Sequence, residues 1–280
     1  MQSWRQRSRA VDLAVRIAEG FRKHRSGRNA ALISHFGFLS IFPLLLVFTT
    51  VLGFVLHSAS GLRKRIIGSA VNQLPIIGQQ MKIDPLKLQG NAVVLILGVL
   101  VSLWAGMKAF VAVHTALDDV AEIPLDERSG LLITRLRALL GMAYVGGAQI
   151  VGAILASIVG VTGVPVISKV LVLVGTAAIN TVMLGLSYRW LRTGKPEWRT
   201  LRPGAIAGGI IFTLLQLLGV AVVGRQVAHA TPVYGTFAAV IGLLYWLSLH
   251  AMVALGGAEL NAALTADGPP HPPDCDGPAV

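Results

Sequence analysis

The chain has 280 residues, 54% of them apolar and 13% charged, and its mean hydropathy is +0.69, a balance outside the range of soluble domains that reads as a polytopic membrane protein. The net charge of +11 would suggest nucleic acid in a soluble protein, but here Lys and Arg cluster between apolar runs, where cytoplasmic loops carry them. Cys275 is the only cysteine, which excludes a disulfide framework or a Cys-based metal site within one chain.

Residues 1–28 carry eight Arg and Lys. The apolar run that follows has no small-residue cleavage site after a short core, so it reads as a retained helix. Within 11–22, Val11, Leu13, Ala14, Val15, Ile17, Ala18 and Phe21 fall at helical spacing away from Arg16, Glu19 and Arg22. This predicts an amphipathic helix on the cytoplasmic leaflet, with Arg5 to Arg28 drawn to anionic lipid. A solvated basic tail is the plainer alternative.

The first span, 29–56, holds His35, Ser40 and Pro43. Pro43 cannot donate to the carbonyl of Leu39, which predicts a kink and a carbonyl satisfied by a Ser hydroxyl, water or another helix. In 57–90, an apolar stripe from Leu62 to Leu74 predicts a second interfacial helix ended by Pro75, on the outer side. The second span, 91–117, carries Trp104, Lys108 and His114, and acids from Asp118 to Glu127 follow it. The third, 131–159, sets Ala148, Gly152, Ala156 and Gly160 four apart, a face that lets helix backbones approach. The fourth, 164–188, contains Asn180, and the fifth, 204–223, repeats the small-residue pattern at Gly204/Gly208 and Ala205/Gly209 and holds Gln216. The sixth, 233–264, opens at Tyr234-Gly235 and ends in Gly256-Gly257-Ala258-Glu259-Leu260-Asn261. Asn180, Gln149 and Gln216 read as interhelical hydrogen-bond glue, and His250 as a histidine bonded between helices.

The expected fold class is therefore all-α: six transmembrane helices plus amphipathic interfacial helices. Its parts are a basic cytoplasmic segment 1–28, a membrane domain 29–264 and a disordered Pro-rich tail 265–280. Lys and Arg number 16 on the side of the N-terminal segment against 7 on the other, excluding Lys108 inside its span. Both termini are thus expected in the cytoplasm.

No His-x-His or His-x-x-x-His set, Gly-x-Ser-x-Gly elbow or Walker loop occurs, so the chain reads as a non-enzyme without cofactor or metal. Its polar residues lie within the spans instead, where ionisable groups are costly and mark a pathway or an internal charge pair. Lys108, Glu259 and His35 fall roughly 14, 8 and 9 Å from the cytoplasmic edge at a rise of about 1.5 Å per residue. That depth predicts a charged Lys108–Glu259 cluster with His35, binding a polar head or completing a gate. The alternative is a Lys108 that snorkels to the headgroups.

The run His35-Phe36-Gly37-Phe38-Leu39-Ser40-Ile41-Phe42-Pro43-Leu44, the Tyr234-Gly235 start and the Gly257-Ala258-Glu259-Leu260-Asn261 end resemble the YihY/BrkB family of bacterial inner-membrane proteins. His35 stands where that family usually has an aromatic, and Val113-His114-Thr115-Ala116-Leu117 departs from its Leu-Asn sequence. The resemblance implies a six-helix inner-membrane protein of a family once labelled ribonuclease BN, linked by name to serum resistance (a virulence trait), and suspected of exporting or flipping lipids or small solutes. The implied path or gate comprises His35, Ser40, Pro43, Lys108, His114, Tyr234, Gly235, Glu259 and Asn261. Membrane lipids and a lipid or small polar solute are the expected partners, with no nucleic acid. A nuclease predicts clustered metal ligands or a basic groove with stacking aromatics, whereas these basic residues sit at loop edges. A scaffold that moves nothing is compatible with every residue.

Overall fold

A computed structural model describes residues 9–55, 92–159, 166–234 and 236–266. The expected outer interfacial helix in 57–90, Gly235 and most of the 265–280 tail lie outside the described residues, as do the side chains of Pro43, Gln149, Gly152, Ala156 and Tyr234. Seven helices occur among the described residues: α1 (Arg9–Lys23), α2 (Ser26–Val55), α3 (Ala92–Val120), α4 (Leu131–Val159), α5 (Val166–Trp190), α6 (Trp198–Tyr234) and α7 (Thr236–Thr265). Among the described residues, five stretches are long and apolar enough to cross a membrane: Ile96–Val120, Leu131–Ala148, Val170–Trp190, Trp198–Leu218 and Val240–Thr265.

The amphipathic pattern of 11–22 becomes α1, with Asp12 in its first turn and Arg22 and Lys23 in its last, each complementing the helix dipole. Arg16 bonds Asp12 one turn away. Rather than lying only on lipid, α1 packs on α7, and its Phe21 joins Ala30, Ala116, Ala251 and Leu255 from α2, α3 and α7.

Helix α2 runs through Pro43 without interruption. Ser40 donates its hydroxyl to the carbonyl of Gly37 at 2.7 Å and not to Leu39, so the expected Ser40 remedy for Pro43 is not the one used. Tyr234 closes α6 instead of opening the last helix, and α7 begins at Thr236.

Each of α2 to α7 packs against its neighbours in sequence, and α7 returns to pack on α2, so the six form a closed ring that α7 also crosses to touch α3. The main core joins Leu117 and Val120 of α3, Met183, Leu184 and Tyr188 of α5, Leu201 and Ala205 of α6 and Ala258 of α7. Ala148 of α4 packs on the same core. Small residues set two of the contacts, as expected for membrane helices. A Cβ on Gly204 would overlap the carbonyl oxygen of Gly257, and one on Gly209 would meet Thr181 Cα at 2.7 Å. Asn180 adds polar glue, donating to Thr213 Oγ1 at 2.9 Å and Gln216 Oε1 at 3.1 Å. His250 differs from the reading above: its Nδ1 pairs with the Trp246 carbonyl of its own helix at 2.9 Å, and its ring stands edge-on to Phe212 of α6 at 4.4 Å.

Candidate functional site

The ends of α1, α3, α5 and α7 and the starts of α2, α4 and α6 meet at one end of the ring, and side-chain tethers link them. Glu259, 2% exposed, accepts from Ser26 Oγ at 2.8 Å and faces His24 Nδ1 at 3.0 Å. Its carboxylate therefore sits at the start of α2, where the helix dipole favours an anion. Two residues further, Asn261 accepts the Gly204 N–H at 2.7 Å and donates to the Leu201 carbonyl at 3.1 Å. This satisfies backbone groups in the first turns of α6 and fixes that helix to α7.

Helix α3 ends in a Schellman motif. The N–H of Glu122 donates to Asp119 and that of Ile123 to Asp118, both at 3.1 Å, with Glu122 left-handed at φ 53 and Pro124 preventing continuation. The motif aims the carboxylate of Glu122 at α1, where it accepts from Lys23 Nζ at 2.6 Å and lies 3.3 Å from His24 Nε2. Hydrogen bonds from Lys23 and then His24 hold the Glu122 carboxyl below its usual range. Asp119 takes Asn29 at 3.2 Å and Arg128 at 2.8 Å. Asp118, 1% exposed, accepts the Thr193 backbone N–H at 2.7 Å and hydroxyl at 2.8 Å, tying α3 to the α5–α6 connection. Arg192 beside it is lowered by burial, with Asp118 opposing that shift, and Arg192 Nε is buried without a hydrogen-bond partner.

His114 stands apart. It is 3% exposed, on the α3 face whose Phe110 and Leu117 pack into the main core. Its Nδ1 lies 3.3 Å from Asp118 Oδ2, within ion-pair distance but out of line for a hydrogen bond, and neither ring nitrogen is hydrogen-bonded.

Of the expected path residues, His114, Glu259 and Asn261 are buried and come to this end of the ring. Ser40 is half-buried along α2, whereas His35 and Lys108 are exposed. The expected Lys108–Glu259 cluster is thus corrected: Glu259 pairs with His24 and Ser26. Equal depth along two helices does not fix their rotation, and α3 turns Lys108 outward. The partners missed were His24, Ser26, Asp118, Glu122 and Thr193. Ser26 carried a helix-start signal, a small hydroxyl residue just before the apolar run. Among the described residues, no three of His, Cys, Asp and Glu converge as a metal site.

A closed ring of apolar helices with buried polar tethers at one end defines a multi-pass α-helical membrane protein. The family model for virulence factor BrkB matches residues 17–275, and the chain belongs to that family. A UPF0761 membrane protein of Alkalilimnicola ehrlichii is 24% identical over 267 residues, 92% of this chain. A UPF0761 membrane protein of Paraburkholderia xenovorans is 35% identical over 91 residues, covering 32% of this chain and 20% of its own. The chain spans 59% of the length of the Alkalilimnicola protein. No solved structure matches it.

Proposed function

We propose that the protein is a six-span transporter or flippase of the bacterial inner membrane, with α2 as its first span and both termini cytoplasmic, moving a lipid or small polar solute without enzymatic chemistry, cofactor or nucleic acid. The observation that carries this reading is His114, buried without a hydrogen bond inside the ring. A polar group buried without a hydrogen bond costs about 1–3 kcal/mol, and ionisable residues at membrane depth usually serve a pathway. The excess of Lys and Arg on the side of the N-terminus supports the orientation.

A scaffold reading has one specific observation in its favour. Glu259 and Asn261, the polar residues of the Gly257–Asn261 run, are both engaged in holding helix ends together. Comparing lipids and metabolites on each side of the membrane, in cells with and without the protein, separates the two readings. A transporter shifts at least one class across the membrane, and His114→Leu abolishes that shift while leaving the melting temperature equal or higher. A profile unchanged by removing the protein leaves the scaffold, and a fully active His114→Leu removes the support that His114 gives.

A further inference from the structure

Four segments meet at His24. Its Nδ1 lies 3.0 Å from Glu259 Oε1 of α7, and its Nε2 lies 3.3 Å from Glu122 Oε1 after α3. Ser26 of α2 donates to the same Glu259 oxygen, and Asn29 Nδ2 reaches the His24 carbonyl at 3.4 Å. Lys23 bonds Glu122, and Asn29 and Arg128 hold Asp119 behind it. Arg22, Arg25 and Arg28 are exposed. Helix α1 comes close enough for these contacts because Gly20 faces Glu259, where a Cβ would meet Oε2 at 2.5 Å. Only His24 and Arg25 separate α1 from α2, and Arg25 is left-handed at φ 54, a conformation that non-glycine residues hold only when their surroundings impose it.

We infer that α1 is a hinged strap across this end of the ring, pivoting at Arg25, held shut by His24 with a proton on both ring nitrogens and loosened when one proton leaves. A carboxylate only accepts hydrogen bonds, so two carboxylates on one imidazole need two N–H donors. The neutral ring has one, and its other nitrogen then turns a lone pair toward a carboxylate. Lys23 cannot substitute, because its ammonium bonds Glu122 from an exposed position where an ion pair contributes little. His24, just past the end of α1, reaches buried Glu259. The strap is therefore closed while both ring nitrogens carry protons toward the two carboxylates, and it opens when one of them is removed. This concerns the position of α1 and holds whether or not anything crosses the membrane.

The test uses the full chain in lipid nanodiscs with Cys275→Ser, and nitroxides on Ala14→Cys and Ala266→Cys, both exposed positions. Pulsed electron resonance reads the distance distribution at pH 6 and pH 8.5. One narrow population is expected at pH 6, with a longer population at least threefold larger at pH 8.5 than at pH 6. His24→Gln should show the longer population at both values, and His24→Lys, which keeps its charge, the narrow one at both. A second label pair on Leu132 and Ile210 reads the bundle and should not change. Identical distributions at the two pH values in the parent chain overturn the strap, as does a His24→Gln variant that matches the parent at both. The parent chain decides alone if a His24 variant disturbs the bundle pair.

Discussion

Ser26, the first residue of α2, donates its hydroxyl to Glu259 near the end of α7 at 2.8 Å, across 233 positions of sequence. Both groups are buried, so the bond joins the two helices that close the ring in a place where water cannot replace it. A buried acceptor deprived of its donors bears the whole cost of desolvation.

Glu259→Ala leaves Ser26 and His24 without their shared acceptor and should lower stability by about 2 kcal/mol. Lys108→Met should not lower it, since Lys108 is exposed on a membrane-spanning helix, where a charge is costly even when it snorkels. Thermal unfolding of both variants in nanodiscs checks the pair. Equal losses would restore a Lys108–Glu259 link.

Gly204→Ala should destabilise by about 3 kcal/mol or more, because its methyl would overlap the Gly257 backbone and crowd Asn261 Cγ at 2.6 Å. Gly146 has nothing within 4 Å of an added Cβ. Gly146→Ala should therefore stay within about 1 kcal/mol of the parent, with helix propensity on its side. Denaturant unfolding in a single detergent ranks the two.

Asn261→Leu keeps the volume but removes the acceptor for Gly204 N–H and the donor to Leu201. The expected loss is about 1–3 kcal/mol, accompanied by faster hydrogen exchange at the start of α6. Exchange confined to other helices would show that this cap is redundant.

Glu122 gives a pH signature of known sign. Its carboxyl is held below the ordinary value of 4.5, so the folded state binds its proton less readily than the unfolded one. The resulting stability is full above that ordinary value and disappears as pH falls through the lower folded value. The pair is largely exposed, so its size is below about 1 kcal/mol. The melting-temperature difference between the parent and Glu122→Gln should be constant near neutrality and shrink toward zero in acid. A difference growing in acid would reverse the assignment.

Apolar runs showed where the chain is helical. The third span was read at 131–159 and α4 occupies Leu131–Val159. The fifth was read at 204–223, yet α6 covers Trp198–Tyr234, because hydropathy reports the part suited to lipid while the helix continues into polar residues at both ends. The order of His35, Lys108 and Glu259 along their helices was legible, since rise per residue is fixed. Azimuth was not: no pattern in an almost uniformly apolar helix says which way Lys108 turns. The tethers were hidden for another reason, since His24 and Ser26 sit in a segment whose charge drew attention to lipid, and their partners lie far away in sequence. The Gly204/Gly208 and Ala205/Gly209 rows were visible as close-packing faces, although which neighbour each would meet was not.

The ring closes between α7 and α2, the last and first of its members. A ribosome adds about 5–20 residues per second, so Ser26 emerges on the order of tens of seconds before Glu259 exists to receive its hydroxyl. For that interval α1 and α2 have neither the carboxylate nor the face of α7 that will cover them. The order of synthesis therefore makes the α7–α2 contact the last one that the ring can form.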